Sequence, residues 1–141
     1  MRGVTLPEML MVLIIIGLLA SLAMPPLGRA LDRLAVDDAA SRYESLHELA
    51  RTTAVTRGRL SRVQLDSARH TAVLELKRAP TAWDTLQTRD LGRARLSASQ
   101  TMVTFSPIGI GFGASNTRIV FTAGVAAETV TVARTGRLRR S

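Results

Sequence analysis

Residues Met9 to Gly28 read MLMVLIIIGLLASLAMPPLG, twenty residues without a charged side chain. As an α-helix, a run of this length extends about 30 Å, close to the thickness of the hydrocarbon core of a bilayer. Arg2 precedes the run, and basic residues beside a membrane span favour the cytoplasmic side. The sequence therefore predicts one membrane span, with the N-terminus in the cytoplasm and the rest of the chain outside it.

Two other interpretations fit the apolar run. One is a secretory signal that is removed after Ser21-Leu22-Ala23, a segment with the small residues of a cleavage site. The other is a plain single-span anchor. Glu8 fits neither interpretation, because a carboxylate at the start of an apolar helix costs free energy unless it is paired.

The residues after Gly28 predict that the helix continues beyond the membrane. Apolar and small residues recur every three or four positions, and charged residues fill the positions between them. This pattern is typical of an amphipathic helix, here ending near Gly58, and it follows the membrane helix with at most a bend at Pro25-Pro26. The predicted apolar face consists of Leu31, Leu34, Ala35, Ala39, Tyr43, Leu46, Leu49, Ala50 and Thr53.

Beyond Gly58 the apolar pattern changes to the alternation that is typical of β-strands. Residues 80–93 are mixed and polar and predict a loop, in which Trp83 is interpreted as an anchor of the core. The glycine-rich residues 108–114 lack the lysine and following helix of a phosphate-binding loop and predict a connection between strands. We expect an α+β fold in which one long N-terminal helix packs its second half on an antiparallel sheet or a pair of small sheets. The predicted strands are 60–66, 72–77, 95–97, 101–106, 117–123 and 128–133, with turns at 67–70 and 124–127.

The composition favours a structural or binding role over catalysis. The sequence contains no cysteine, which excludes disulfides, thiol catalysis and cysteine-ligated zinc. His47 and His70 lack a catalytic or metal-binding motif, and the adjacent Asp37 and Asp38 point in different directions on the predicted helix. We expect no enzyme activity and no cofactor. The 19 basic and 11 acidic residues give a formal charge of +8, which permits an acidic partner such as nucleic acid or anionic lipid.

Residues 3–10, GVTLPEML, resemble the class III signal of type IV pilins and type II secretion pseudopilins. The resemblance implies that a prepilin peptidase cleaves between Gly3 and Val4 and that the new N-terminal residue, Val4, is methylated. Glu8 then becomes the fifth mature residue and Pro25 the twenty-second, the positions at which this family has a glutamate and a proline. The resemblance further implies that Glu8 pairs with the N-terminal ammonium of Val4 in a neighbouring subunit. It places the chain in the bacterial inner membrane, with a periplasmic head.

The downstream sequence resembles the GspH/FimT branch of this family. The shared features are Ala50-Arg51, Trp83, Phe105-Ser-Pro-Ile-Gly109 and Gly136-Arg137-Leu138-Arg139. They imply a minor pseudopilin, a structural subunit of the pseudopilus through which a type II secretion system moves proteins across the outer membrane. The implied partners are other pilin or pseudopilin subunits, the prepilin peptidase, the inner-membrane assembly platform and the lipid bilayer. The expected divisions are a leader at 1–3, a membrane segment at 4–28, an amphipathic helix at 29–58 and a β-rich periplasmic head with a basic tail at 59–141.

The basic C-terminus leaves other functions open. In FimT-like minor type IV pilins the Gly-Arg-x-Arg region is associated with binding double-stranded DNA for uptake in natural transformation, and arginines suit contacts with phosphates. The alternatives are a last strand followed by a solvated basic tail, and a secreted soluble β-domain whose ordinary signal peptide is removed. The candidate DNA-binding residues are Arg134, Gly136, Arg137, Arg139 and Arg140.

Overall fold

The computed structural model describes residues 5–113 and 116–141, and of residues 22–25 it describes the backbone alone. Within these ranges the chain forms one long helix followed by eight strands. Gly3 and Val4, which form the predicted cleavage site, lie outside the described residues.

Helix α1 runs from Leu6 to Arg57, 52 residues or about 78 Å, and it continues through Pro25 and Pro26. It ends at Gly58, whose φ of 58° is the left-handed conformation that commonly closes a helix. The N–H groups of residues 58 and 59 donate to carbonyls of the last helical turn. The predicted single long N-terminal helix is therefore confirmed.

The strands form two four-stranded antiparallel sheets. Sheet A has the order β3-β2-β1-β5, and sheet B has the order β4-β6-β7-β8. The predicted α+β fold with a pair of small sheets is confirmed. The strands are β1 (Ser61–Asp66), β2 (Thr71–Lys77), β3 (Trp83–Asp90), β4 (Arg95–Ala98), β5 (Met102–Phe105), β6 (Thr117–Ala123), β7 (Ala126–Val132) and β8 (Leu138–Arg140).

The core lies between the second half of α1 and the inner faces of both sheets. Phe105 of sheet A and Phe121 of sheet B are fully buried there with Tyr43 and Leu46 of the helix. A fully buried Leu or Phe side chain stabilises the fold by about 1.5–3 kcal/mol. Alanines on the helix let the sheets approach its backbone closely. The buried residues of α1 are Val36, Ala39, Ala40, Tyr43, Leu46, His47, Ala50 and Ala54.

The buried face of α1 differs from the predicted one. Leu34 is 64% exposed, and Leu31 and Leu49 are also exposed. Leu31 and Leu34 precede Val36, the first described helical residue that the sheets bury. His47 does not belong to the predicted apolar face, yet it is only 1% exposed. Its Nε2 donates a hydrogen bond to the backbone carbonyl of Gly136 inside the head, which offsets part of the cost of burying the ring.

The prediction of a loop at residues 80–93 is wrong, because residues 83–90 form β3. This strand lies at the edge of sheet A and leaves most of its side chains exposed, so it lacks the apolar alternation of a half-buried strand. Trp83 is not a core anchor either. It is half-buried on the outer face of sheet A, and the Arg62 guanidinium lies 4.1 Å from its ring centroid. This cation–π contact stabilises the ring at the sheet surface.

The C-terminal part of the head contains one predicted hairpin and one strand that was not predicted. Strands β6 and β7 form the expected hairpin, with a turn of two residues, Gly124-Val125, where four were expected. The basic C-terminal segment contains β8, which pairs with β7 and forms an edge of sheet B. The arginines of this segment therefore have fixed directions, since side chains alternate along a strand.

Candidate functional site

The N-terminus of α1 places Glu8 in contact with Thr5. Glu8 Oε2 accepts a hydrogen bond of 3.0 Å from the Thr5 backbone N–H and another of 3.0 Å from the Thr5 hydroxyl. Pro7 lies in the first helical turn, where an N–H has no intrahelical acceptor, so its ring costs no hydrogen bond. The carboxylate is thus held beside the positive end of the helix dipole.

Thr5 was not identified from the sequence. Its signal was present, because Thr5 and Glu8 have the S/T-x-x-E spacing of a helix N-terminus. The two hydrogen bonds hold the Glu8 carboxylate against Thr5, the residue that follows the predicted new N-terminus. Val4 lies outside the described residues, so the pairing of Glu8 with a Val4 ammonium stays a prediction.

The first half of α1 presents a free apolar surface. In the described part of the chain, α1 is the one helix long and apolar enough to cross a membrane, and its apolar window contains no buried residue. Leu13, Ile14 and Leu19 are each about 60% exposed. A surface of this kind is stable in lipid and costly in water, as expected for the predicted membrane segment.

The candidate DNA-binding arginines lie on and beside β8. Arg134 and Arg137 are exposed in the turn between β7 and β8, and Arg139 is exposed on β8. Within residues 5–113 and 116–141, the side chains of these three arginines make no ion pair. Arg137 and Arg139 line an open groove of about 430 Å³ together with Thr131. Three of the four candidate arginines are therefore available to a ligand.

Arg140 points in the opposite direction and contacts the helix. Its guanidinium donates hydrogen bonds to Glu128 on β7 and to Asp37 on α1. It also lies 3.5 Å from Glu44 Oε2 and donates to the Ser41 hydroxyl at 3.3 Å. The hydrogen bond to Glu128 is the main reason why the pKa of Arg140 is raised. Arg140 therefore ties β8 to α1, and its charge is compensated inside the head.

Gly136 positions the turn that carries the exposed arginines. Its carbonyl accepts a hydrogen bond of 3.0 Å from His47 Nε2 on α1. Its φ is +80°, and a Cβ at this position would lie 3.1 Å from Phe105 Cε1. His47 and Phe105 are also in contact, edge to face, with ring centroids 4.8 Å apart. Gly136 is thus a structural residue of the basic turn and has no side chain to offer a ligand.

Three of the segments identified from the sequence, Ala50-Arg51, residues 105–109 and residues 136–139, meet at this same place. Arg51 Nε donates a hydrogen bond of 2.9 Å to the carbonyl of Gly109. The Gly109 carbonyl would in turn lie 3.6 Å from a Cβ on Gly136. Ala50 accepts a hydrogen bond of 2.6 Å from the Ser61 hydroxyl of β1. These residues therefore join the end of α1 to both sheets and hold the β7–β8 turn in place.

His47 is expected to make the stability of the head depend on pH. Burial is the main reason why the pKa of His47 is lowered, so an unfolded chain, with a histidine pKa near 6.5, binds a proton more readily than the folded head. The stabilisation is therefore present above pH 6.5 and is lost as the pH falls below it. We expect His47→Gln, which keeps a donor near Gly136, to reduce the fall in melting temperature between pH 7 and pH 5.

Thermal unfolding of the full chain in detergent across this pH range measures the effect. His70→Gln is the matched control, because His70 is only half-buried; its Nδ1 donates a hydrogen bond of 3.0 Å to the carbonyl of Ala94. Equal pH dependence in wild type and His47→Gln would contradict the assignment.

The fold is similar to those of solved minor pilins and minor pseudopilins. The type IV minor pilin FimU of Pseudomonas aeruginosa superposes with a TM-score of 0.65 at 15% identity, over 77% of this chain and 90% of that one. The minor pseudopilin EpsH of the Vibrio cholerae type 2 secretion system superposes with a TM-score of 0.58 at 18% identity, over 73% of this chain and 92% of that one. No family model and no curated protein matches the sequence. The chain therefore has a pilin-like fold.

Proposed function

We propose that this protein is a minor subunit of a pilus-like filament, assembled from the bacterial inner membrane. The observation that carries the proposal is α1 itself. Its first half is apolar and exposed, and its second half, from Val36 to Ala54, forms the core of the head. One continuous helix thus joins an apolar segment, suited to a membrane, to a folded domain. A subunit that moves from the bilayer into a filament needs both parts on one helix.

In the version that we rank first, the filament is the pseudopilus of a type II secretion system. The likeness to EpsH supports this version. A prepilin peptidase would remove residues 1–3 and methylate Val4 at its new amino group. The head would then lie in the periplasm, and the chain would act through contacts with other subunits and with the assembly platform, without a catalytic site. In the described residues no group of three His, Asp or Glu is placed to hold a metal ion.

Glu8 would give this filament its axial register. A carboxylate inside the hydrocarbon layer is tolerated when a cation neutralises it, and the ammonium of a neighbouring Val4 is such a cation. In the free subunit, Thr5 supplies two hydrogen bonds to the same carboxylate oxygen. Assembly would add the ion pair to these bonds, because a carboxylate accepts several donors at once.

A DNA-binding minor type IV pilin is the second candidate function. The observation that favours it is the exposure of Arg134, Arg137 and Arg139, whose charges are not compensated by a neighbouring carboxylate in the described part of the chain. Duplex DNA presents a regular row of phosphates that such arginines can neutralise. The likeness to FimU supports the pilus version.

Deletion of the gene, with complementation by the wild-type chain, tests these proposals in the source bacterium. Loss of secreted proteins from the culture medium with normal DNA uptake supports the secretion version. Loss of DNA uptake with normal secretion supports the second candidate. Normal secretion and normal uptake, in cells whose other envelope filaments also assemble normally, would contradict the proposed filament function.

A further inference from the structure

The outer face of sheet B carries arginines that the C-terminal motif does not include. Arg118 on β6 lies directly opposite Thr131 on β7, and Thr131 lies directly opposite Arg139 on β8. Directly opposed residues of antiparallel strands point to the same face of a sheet. Arg118, Thr131 and Arg139 therefore form one row across three strands, on the face turned away from α1.

The row is extended on the same face by a third arginine, Arg95, and its cross-strand partner Thr122. Arg95 on β4 lies opposite Thr122 on β6, four residues along β6 from Arg118. Neighbouring strands are about 4.8 Å apart, and four residues of a strand extend about 13 Å. The Cα atoms of Arg118 and Arg139, two strands apart, are thus about 10 Å apart. The Cα atom of Arg95 lies about 13 Å from that of Arg118 along the strand direction and one strand away from it. We call the surface formed by Arg95, Arg118, Arg139, Thr122, Thr129 and Thr131 the basic face.

The strands of sheet B contain a single acidic residue, and its side chain points away from the basic face. Glu128 on β7 points inward, where it accepts a hydrogen bond from Arg140. One carboxylate of α1, Asp32, lies at the Arg95 end of the face, and it is paired with Arg93 at 3.8 Å. The outer face of sheet A is different, because Arg62 is paired there with Glu75 at 2.5 Å. On the outer face of sheet B, by contrast, Arg95, Arg118 and Arg139 make no ion pair with any of the described residues.

The chemistry of the basic face fits the backbone of a duplex nucleic acid. Arginine and threonine side chains are typical donors to phosphate oxygens. Double-stranded DNA carries one negative charge for about every 1.7 Å of helix axis, so two long side chains whose Cα atoms are about 10 Å apart can each reach a phosphate. The face has no aromatic side chain on which unpaired bases would stack. The apolar residues that lie between the members of the basic face, Val120 and Ala127, are too small to insert into a membrane surface.

We propose that the basic face binds the phosphate backbone of double-stranded DNA, with Arg95 and Arg118 as contacts additional to the C-terminal arginines. The proposal rests on the second candidate function and names its binding surface. Arg137 and Arg139 lie at one end of this surface, in the groove beside Thr131. Arg140 is not part of it, because its guanidinium is held on the opposite face by Glu128 and Asp37.

Titration of the full chain in non-ionic detergent against a 30-base-pair DNA duplex tests the proposal. Three double variants are compared with the wild type at several salt concentrations: Arg95→Gln with Arg118→Gln, Arg137→Gln with Arg139→Gln, and the control Arg57→Gln with Arg89→Gln. The control changes the net charge equally at exposed arginines outside the basic face. We expect the first variant to bind on the order of tenfold more weakly and to lower the salt slope by about 2, and the control to bind like wild type.

The possible results distinguish an error in the proposed binding surface from an error in the DNA-binding function itself. If the variant at 137 and 139 loses binding while the variant at 95 and 118 binds like wild type, DNA contacts the C-terminal arginines alone and the surface does not extend to β4 and β6. If the affinity of the control for DNA falls as much as that of the variant at 95 and 118, net charge governs binding and the proposal is overturned. If the wild type does not bind at low salt, the second candidate function itself is wrong. Circular dichroism of each variant confirms that the head remains folded.

Discussion

We expect Gly136→Ala to lower the free energy of unfolding of the head by about 3 kcal/mol. An alanine at a φ of +80° costs roughly 1–2 kcal/mol. Its Cβ would also lie 3.1 Å from Phe105 Cε1, in a core that is already filled, and such overpacking costs about 1–3 kcal/mol more. For a head of this size the loss corresponds to a fall in melting temperature on the order of 15 °C.

Gly58→Ala is the matched control for this substitution. Gly58 also has a positive φ, 58°, but a Cβ there would meet no atom within 4 Å. The control therefore has only the cost of a left-handed backbone at alanine, roughly 1–2 kcal/mol. Thermal or urea unfolding of both variants measures the difference. Equal losses in the two variants would show that the contact with Phe105 does not constrain the basic turn.

We expect Glu8→Ala to abolish incorporation of the subunit into its filament while leaving its level in the membrane unchanged. The substitution removes the carboxylate that would pair with the Val4 ammonium of a neighbour, and a lost pairing of only about 1.4 kcal/mol already weakens assembly tenfold. Incorporation is measured in living cells with a photo-crosslinking residue at Ile16, which is 55% exposed on the membrane part of α1. Adducts with other subunits are expected for wild type and absent for the variant.

Glu8→Gln separates the charge from the helix cap. A glutamine keeps an oxygen that can accept the Thr5 backbone hydrogen bond but removes the negative charge. We expect Glu8→Gln to lose the adducts as completely as Glu8→Ala. Normal adducts with glutamine would mean that residue 8 acts by capping α1 and would contradict the ion pair.

Much of the fold was accessible from the sequence because its signals are local. The length and polarity of the N-terminal run specify α1, and the Gly58 stop is a short-range signal. The β6–β7 hairpin likewise follows from alternation on both sides of a turn. Strand β3 was missed because an exposed edge strand needs no apolar face, so its polar sequence resembles a loop.

The site residues that were missed depend on contacts distant in the sequence. His47 is buried because Gly136, 89 residues later, supplies a carbonyl to its ring. Arg140 was grouped with Arg139, and only the pairing of β8 shows that the two side chains leave opposite faces of sheet B. Arg118 and Arg139 become neighbours across Thr131 through strand register, which no sequence motif encodes.

The N-terminal mass of the mature protein, purified from its own membrane, tests the pilin interpretation most directly. We predict a chain that begins at Val4 with one methyl group on its amino nitrogen, so that Glu8 is the fifth residue and α1 keeps its apolar half. A mature chain that begins at Met24 would show that an ordinary signal peptide had been removed after Ala23. That result would contradict the membrane anchor, the role of Glu8 and the filament together.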